Sequence, residues 1–166
     1  MPQRTWLGPL IFILLINDLS TTCMMHKFVD DITLTEVVER DELSNMSFHF
    51  SNVVGWSSDN LMNINYKKTK DMVLGILCKN PPSEPVVNGS LIERVSVFKL
   101  LGVYIEHSLK WNSHVDYICA KASSRLYFLK RLKRCATCIN DMLHFYNAVI
   151  RPVLEYACPV WHTGLT

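Results

Sequence analysis

The chain has 166 residues, of which 49% are hydrophobic and 19% are charged. This composition excludes an intrinsically disordered chain and supplies enough apolar side chains for one packed domain, or for one domain and part of another. The formal net charge of +2 is too small to indicate a partner by itself, although the charges are distributed unevenly along the chain.

An apolar run near the N-terminus ends at Ile16, where Asn17 and Asp18 follow. The basic start and the apolar run resemble a secretory signal peptide, but no small-residue cleavage site follows them. The run is also shorter than the ~20 residues that cross a bilayer. We therefore expect a buried helix over residues 9–18, with Pro9 in its first turn. We also expect an intracellular protein, of the nucleus or the cytoplasm, that has no signal peptide, transmembrane helix or membrane partner.

Two adjacent carboxylates, Asp30 and Asp31, interrupt a strand-like stretch over residues 23–38. The β-branched and alternating apolar residues on both sides predict a hairpin. Neighbouring side chains of one strand point to opposite faces, so we place the aspartates in the turn, where both can project from the tip. Two acids held there suit a hard cation such as Mg²⁺, and an ordinary solvated turn is the alternative.

The central part of the chain combines one long helix with shorter elements. Apolar residues at three- and four-residue steps predict an amphipathic helix over residues 41–61. Short strands are expected at residues 62–65 and 71–77, on either side of a lysine-rich turn. Prolines mark residues 79–85 as a loop, and an Asn-Gly pair predicts a second tight hairpin over residues 86–92.

Helices dominate the C-terminal part. A strand pair or a single bent strand at residues 97–105 precedes two predicted helices, at about residues 112–134 and 139–150. The switch from strands to helices near Trp111 is the candidate boundary between two modules, and Pro152 marks the region beyond the second helix. Together the elements predict an α+β fold.

The predicted helix at 112–134 has an apolar stripe and a basic remainder. The stripe consists of Val115, Ile118, Ala122, Leu126, Leu129 and Leu132. The basic residues, which lie mostly off the stripe, are Lys121, Arg125, Lys130, Arg131, Lys133 and Arg134. No acidic residue lies between Tyr117 and Asn140, so this face is suited to a phosphate backbone; a solvated face on a core helix is the alternative.

Several short motifs follow one another along the chain. They are Pro2-Gln3, Leu7-Gly8-Pro9-Leu10-Ile11-Phe12, Phe28-Val29-Asp30-Asp31, Lys68-Thr69-Lys70 after Asn65, Phe98-Lys99-Leu100-Leu101-Gly102-Val103, and Ile150-Arg151-Pro152-Val153-Leu154-Glu155-Tyr156-Ala157. In this order they resemble the reverse transcriptase of non-LTR (LINE-like) retrotransposons, from the back half of the palm through the thumb. The resemblance covers nearly the whole chain.

The resemblance implies an RNA-directed DNA polymerase that uses Mg²⁺ in two-metal nucleotidyl transfer. It also implies two parts: a partial palm of antiparallel sheet and helices over residues 1–110, and a helical thumb over residues 111–166. It assigns catalysis and metal binding to the aspartate pair, and a catalytic contact with the nucleotide phosphates to Lys68. The other implied roles are the nucleotide and template pocket, at Gln3 and Gly8; the primer grip, at Phe98, Lys99, Leu101 and Gly102; and backbone contacts, at Lys121, Arg125, Lys130, Arg131, Lys133 and Arg134.

Some positions depart from the family pattern. Arg4 stands where the family has glycine, Val29 where alanine is usual, and Leu100 where an aromatic residue is usual. The family places its other metal-binding aspartate, with the fingers and the first half of the palm, ahead of Pro2. We therefore expect a fragment that does not polymerise DNA alone, with RNA template, DNA primer and a missing upstream palm and fingers segment as partners. A non-catalytic remnant that binds nucleic acid or protein is the alternative.

Two other metal sites fit the spacing of the residues. Cys135, Cys138, Cys158 and His162 have a spacing compatible with zinc, but scattered thiols packed in the thumb are the favoured interpretation. His114 and Asp116, with His144 or His162, resemble in outline the iron triad of 2-oxoglutarate-dependent oxygenases, which the predicted helical setting argues against. Three tryptophans, Trp56, Trp111 and Trp161, are expected in the core rather than stacked on bases.

Overall fold

The structure is a computed structural model that describes residues 7–39, 42–87 and 89–164. Its helices and its short antiparallel strands form an α+β fold, as the sequence predicts. Each strand pair is a separate two-stranded hairpin, joined to its neighbours through helices and loops. Among the helices of the described residues, none combines the length and the apolar character that are needed to span a bilayer.

The chain divides into two compact units. The first comprises the described parts of residues 1–71 and 81–94, and the second comprises residues 72–80 with the described part of residues 95–166. The chain thus passes between the units more than once, because a short segment of the second unit interrupts the first. The module boundary expected near Trp111, with a palm before it and a thumb after it, stays a prediction.

The first unit contains two helices and two hairpins. In chain order they are α1 (Leu7–Ile16), β1 (Met24–Phe28), β2 (Asp31–Thr35), α2 (Met46–Asp59), β3 (Val86–Val87) and β4 (Ser90–Leu91). Their buried side chains form one hydrophobic cluster of Ile16, Leu19, Phe50, Val53, Val54, Val87 and Ile92. The second hairpin occurs where the Asn-Gly signal predicts it, although Asn88 lies outside the described residues.

Helix α1 forms where the sequence predicts a helix, but it is not buried. Leu7, Leu10, Ile13 and Leu14 are exposed, and Ile16 is the one buried residue of this helix. The prediction of a buried helix is wrong because the run is apolar on every face, and such a pattern does not show which face the rest of the unit covers.

Helix α2 starts later than the sequence predicts. The predicted start at Asp41 lies outside the described residues, and the helix begins at Met46. The carboxylate of Glu36 accepts hydrogen bonds from the Asn45 backbone N–H (2.9 Å) and the Ser44 hydroxyl (2.7 Å). The Ser44 hydroxyl in turn accepts the Met46 N–H at 3.2 Å. These contacts satisfy backbone donors that a helix leaves unpaired at its start.

The strands predicted at residues 62–65 and 71–77 do not form. The side chain of Asn65 accepts a backbone N–H three residues later, at 3.2 Å, and so stabilises a turn instead of a strand. Asp71 makes only an isolated bridge with Arg94, whose Nε donates to the Asp71 carboxylate at 2.6 Å. The prediction is wrong because local apolar content does not reveal whether a partner strand is available.

The second unit contains one hairpin and a series of helices. In chain order they are a 3₁₀ turn (Gly75–Lys79), β5 (Val97–Leu100), β6 (Val103–Glu106), α3 (Asn112–Arg134), α4 (Ile139–Phe145), a π turn (Tyr146–Ile150), α5 (Arg151–Glu155), α6 (Cys158–Trp161) and a final 3₁₀ turn (His162–Gly164). Ile118, Val153 and Trp161 form its buried cluster, against which Trp111 packs. The strand pair and α3 match their predicted positions.

The second predicted helix continues beyond its expected end at residue 150. The π turn absorbs a change of helical register, and α5 follows it without a loop. Pro152 lies in the first turn of α5, and the helical segment continues through it to Glu155.

Candidate functional site

Asp30 and Asp31 lie at the tip of the β1–β2 hairpin. Phe28 pairs with Asp31 at the closed end of the ladder, which leaves Val29 and Asp30 as a two-residue turn. Both aspartates are exposed. The predicted hairpin is confirmed, but only Asp30 lies in its turn; the placement of Asp31 in the turn is wrong, because Asp31 pairs with Phe28 as the first residue of β2.

The turn contains a residue in an unfavourable conformation. Val29 has a φ of 52°, whereas Asp30 does not have a positive φ. A positive φ at the first central position of a two-residue hairpin turn is normally supplied by glycine. A β-branched residue in this region costs roughly 1–2 kcal/mol, so the rest of the hairpin holds the turn in place.

Lys27 anchors the hairpin to the end of α1. Its ammonium group donates to the backbone carbonyls of Ile16 (2.8 Å), Asn17 (3.3 Å) and Leu19 (2.5 Å). The last carbonyls of a helix lack helical partners, and a cation also interacts favourably with this end of the helix dipole. The base of the acidic tip is therefore fixed to the preceding helix. Sequence reasoning missed this role because it depends on how the chain turns back between α1 and β1, which brings carbonyls 8 to 11 residues earlier to Lys27.

The resemblance also assigns catalysis to Lys68, and the nucleotide and template pocket to Gly8 and Gln3. Lys68 is exposed in the turn that follows Asn65, and in the described part of the chain no ion pair joins it to Asp30 or Asp31. Gly8 lies in the first turn of α1 and is half-exposed. Gln3 lies outside the described residues. The roles of these residues stay predictions.

The chemistry of the tip fits the protein's share of a Mg²⁺ site. Mg²⁺ in phosphate-handling sites typically binds one or two carboxylates and completes its shell with substrate phosphates and water. The pair at Asp30 and Asp31 supplies carboxylate oxygens of this kind on an exposed surface. A cluster of three or more His, Cys, Asp or Glu side chains that could hold a metal is not found among the described residues.

The zinc and iron alternatives are not assembled in the described structure. Cys135 and Cys138 are exposed free thiols, and they form no metal-binding group with Cys158 and His162. His114 is fully buried against Trp161, at 5.4 Å between ring centroids. The Tyr104 N–H donates to its Nδ1 at 3.4 Å, and among the described residues its Nε2 has no hydrogen-bond partner. Burial lowers the pKa of His114, which favours a neutral core imidazole.

The predicted primer-grip residues form a tight hairpin in the second unit. Leu101 and Gly102 make the turn between β5 and β6, with φ values of 46° and 90°. The Tyr156 hydroxyl donates to the Leu101 carbonyl at 2.7 Å, and its ring lies against Gly102, where a Cβ would be 3.1 Å from a ring carbon. Phe98 pairs with Ile105 and is half-buried. Tyr156 therefore closes over the turn.

Next to this hairpin, two lysines meet two tyrosines. Lys99 Nζ lies 3.2 Å from the Tyr117 hydroxyl, to which it donates, and 4.5 Å from the centre of the Tyr117 ring. Lys121 Nζ donates to the same hydroxyl at 3.5 Å. The Tyr104 and Tyr117 rings lie 4.9 Å apart. We call Lys99, Tyr104, Tyr117 and Lys121 the Lys–Tyr cluster.

The electrostatics of the Lys–Tyr cluster favour an anionic ligand. Hydrogen bonding to Tyr117 raises the pKa of Lys99, and the hydrogen bonds from Lys99 and Lys121 lower the pKa of Tyr117. Both lysines are exposed, so their charges are available to solvent and ligands. Ammonium groups beside aromatic faces are suited to a phosphate and an adjacent sugar or base. The cluster joins a predicted primer-grip residue to a predicted backbone contact.

The remaining basic residues of α3 differ in their surroundings. The guanidinium group of Arg125 is half-buried and donates to the Val149 carbonyl, so part of its hydrogen-bonding capacity is used within the fold. Lys130 and Lys133 border an apolar groove of about 410 Å³ between α3 and α4. Arg131 lines a second groove, while Arg134 is exposed at the end of the helix.

Comparisons with known proteins do not assign the chain to a family. No family model, no curated protein and no solved structure matches it. The likeness to reverse transcriptases stays a prediction.

Proposed function

We propose that this chain is the palm and thumb portion of an RNA-directed DNA polymerase of the non-LTR retrotransposon type. The observation that carries the proposal is the β1–β2 tip, where the consecutive residues Asp30 and Asp31 are both exposed on an anchored hairpin. The order of the sequence motifs supports the same assignment. On this proposal, synthesis requires an upstream palm segment that contributes the other metal-binding aspartate.

In the proposed site, Asp30 and Asp31 hold Mg²⁺ through carboxylate oxygens. When bound, the ion neutralises charge on the phosphates and favours ionisation of the primer hydroxyl. The hairpin orients the two carboxylates, and the Lys27 contacts with the end of α1 keep the base of the hairpin fixed. Lys68 supplies positive charge for the nucleotide phosphates after the template and primer have bound.

The proposed primer and template contacts lie in the second unit. Lys99 and Lys121 supply charge to the phosphate backbone, while the Tyr104 and Tyr117 rings present aromatic faces beside them. Phosphate contacts fix the position of a nucleic acid without reading its sequence. This arrangement is consistent with an enzyme that copies templates of any sequence.

Primer extension on an RNA template tests the proposal. The chain alone should give no product, and the chain combined with an upstream palm segment that carries the other aspartate should give Mg²⁺-dependent product. Asp30→Asn should reduce that activity at least ~100-fold, because even outer-shell groups of metal sites change activity by ~10–100-fold. Asp59→Asn, an exposed acid at the end of α2, is the matched control and should leave activity unchanged.

A non-catalytic nucleic-acid-binding protein is the second candidate, and the Lys–Tyr cluster is the observation that favours it. This candidate requires salt-sensitive duplex binding through Lys99 and Lys121, but no synthesis under any combination of segments and metal. Product that depends on Asp30 would exclude it. Duplex binding without product, with the upstream segment shown to be folded and bound, would exclude the polymerase proposal.

A further inference from the structure

A groove on the second unit is lined by aromatic and basic side chains, a combination that phosphate contacts with a duplex do not require. It lies between the C-terminal half of α3 and the segment formed by α4 and the π turn, with a volume of about 660 Å³. Its walls include Arg125, Phe128 and Arg131 from α3, with Phe145 and Val149 opposite. We call it the Phe128 groove.

The Phe128 groove combines an exposed aromatic ring with fixed positive charge. Phe128 is 56% exposed, although phenylalanine has no polar atom that benefits from contact with water. The buried residues of α3, His114, Ile118 and Ala122, all lie in its N-terminal half. The C-terminal half therefore presents Phe128 to solvent without covering it.

Arginines lie on both sides of Phe128 along one face of the helix. Arg125 and Arg131 are each three residues from Phe128, a spacing that places the three side chains next to one another. The bond from Arg125 to the Val149 carbonyl holds its guanidinium plane in place, so less conformational entropy is lost when another acceptor binds. Arg131 is exposed, and none of the residues that line the groove is acidic.

We propose that the Phe128 groove binds a single-stranded nucleic acid, with a base stacked on Phe128 and neighbouring phosphates bound by Arg131 and Arg125. This inference rests on the proposed function, because it specifies a second nucleic-acid site on the same unit. Aromatic rings beside basic groups bind single strands by stacking and charge, largely without regard to sequence. A duplex does not suit Phe128, because its base faces are already stacked on each other.

Fluorescence anisotropy of the full chain with a labelled twelve-residue oligo(U) tests the proposal. Phe128→Leu keeps an apolar side chain but removes the stacking face, and it should weaken binding ~5- to 100-fold. Phe128→Trp should retain or improve the affinity. Phe48→Leu is the matched control, because Phe48 is a 60% exposed phenylalanine on α2, and it should have no effect.

Salt dependence separates stacking from charge in the same assay. Arg131→Gln should reduce the slope of log affinity against log salt by ~0.7, the value for one phosphate contact on a single strand. Phe128→Leu should lower the affinity and leave this slope unchanged. Circular dichroism of each variant checks folding, and substitution of such exposed side chains should not alter it.

Several outcomes would overturn the proposal. The first two are an absence of oligo(U) binding and equal affinities of Phe128→Leu and the wild-type chain for oligo(U). The third is that Phe128→Leu weakens the binding of single strand and duplex equally. The fourth is that an acidic amphipathic peptide binds more tightly than oligo(U) and displaces it. Failure of this proposal can be distinguished from failure of the polymerase proposal, because the polymerase proposal is tested by Asp30-dependent synthesis and not by oligo(U) binding. Loss of synthesis with Phe128-dependent oligo(U) binding would leave the single-strand site standing.

Discussion

Val29 holds a positive φ at a turn position where glycine is favoured, beside both aspartates. We expect Val29→Gly to stabilise the first unit by ~0.5–1 kcal/mol. The substitution removes roughly 1–2 kcal/mol of strain and adds ~0.5–1 kcal/mol of unfolded-state entropy. Urea unfolding measures the difference in the free energy of unfolding.

A matched valine provides the control for this prediction. Val37 is also exposed but has no positive φ, so Val37→Gly should give no stabilisation. If Val29→Gly destabilises as much as Val37→Gly, the turn is not strained. If it stabilises the fold but lowers metal-dependent activity, the strain contributes to the orientation of the carboxylates.

We expect His114 to make the stability of the second unit depend on pH. It is fully buried, and burial lowers the pKa of its imidazole from the ordinary value of 6.5. The unfolded chain therefore takes up a proton at a higher pH than the folded chain does. The contribution of the neutral His114 to the free energy of unfolding is complete above pH 6.5 and decreases as the pH falls below this value. Each unit by which the pKa is lowered corresponds to about 1.4 kcal/mol.

His114→Gln tests this assignment through the pH dependence of unfolding. We expect the variant to be less stable at neutral pH, because glutamine does not reproduce the packing of the ring on Trp161. As the pH falls below about 6.5, it should lose less of its remaining stability than the wild-type chain. His26→Gln, at an exposed strand position, should keep the wild-type slope. If the free energy of unfolding depends on pH equally in the wild-type chain and in His114→Gln, the prediction is contradicted.

Among the hairpins, the β5–β6 turn depends on its glycine. Gly102 has a φ of 90°, and a Cβ at this position would lie 3.1 Å from the Tyr156 ring. We expect Gly102→Ala to lower the free energy of unfolding by ~1–2 kcal/mol, because it adds backbone strain and disturbs Tyr156. Gly55→Ala is the control: its Cβ meets nothing within 4 Å, and a helical site should gain ~0.5–1 kcal/mol. Equal effects in thermal unfolding would contradict this assignment.

The helices and hairpins show where sequence reasoning succeeds. The ends of α3 and the β1–β2 hairpin were predictable because local periodicity and adjacent charges specify them. The strands expected at residues 62–65 and 71–77 failed because strand formation depends on a partner elsewhere in the chain. The same limit applies to Lys27, whose carbonyl partners lie in a different element.

The candidate sites were predictable in kind but not in detail. The aspartate pair and the basic residues of α3 are visible in the sequence. However, the contact of Lys99 with Tyr117, the internal bond of Arg125 and the exposure of Phe128 all depend on how α3 packs. The sequence predicts Trp161 in the core, where it is buried, but it gives no sign that Phe128 is exposed. Residue type alone does not distinguish the two environments.

At the scale of the whole molecule, the acidic and the basic candidate sites fall on different units. The first unit carries the Asp30–Asp31 tip, and the second carries the Lys–Tyr cluster and the basic residues of α3. The net charge of +2 therefore conceals two surfaces of opposite sign. Nucleic-acid binding by the whole chain should depend on the second unit, because phosphate contacts dominate affinity for nucleic acids.

Duplex binding by the whole chain tests this division of charge. We expect Lys99→Gln and Lys121→Gln each to weaken binding and to reduce the salt slope by ~0.9, the value for one phosphate contact on B-form DNA. Lys79→Gln, at an exposed lysine of the second unit outside the Lys–Tyr cluster, should change neither quantity. Asp30→Asn should leave the affinity unchanged or raise it slightly, because it removes a negative charge from the chain. If Lys79→Gln matches Lys99→Gln, the chain binds duplex through its general positive charge, and the Lys–Tyr cluster has no special role.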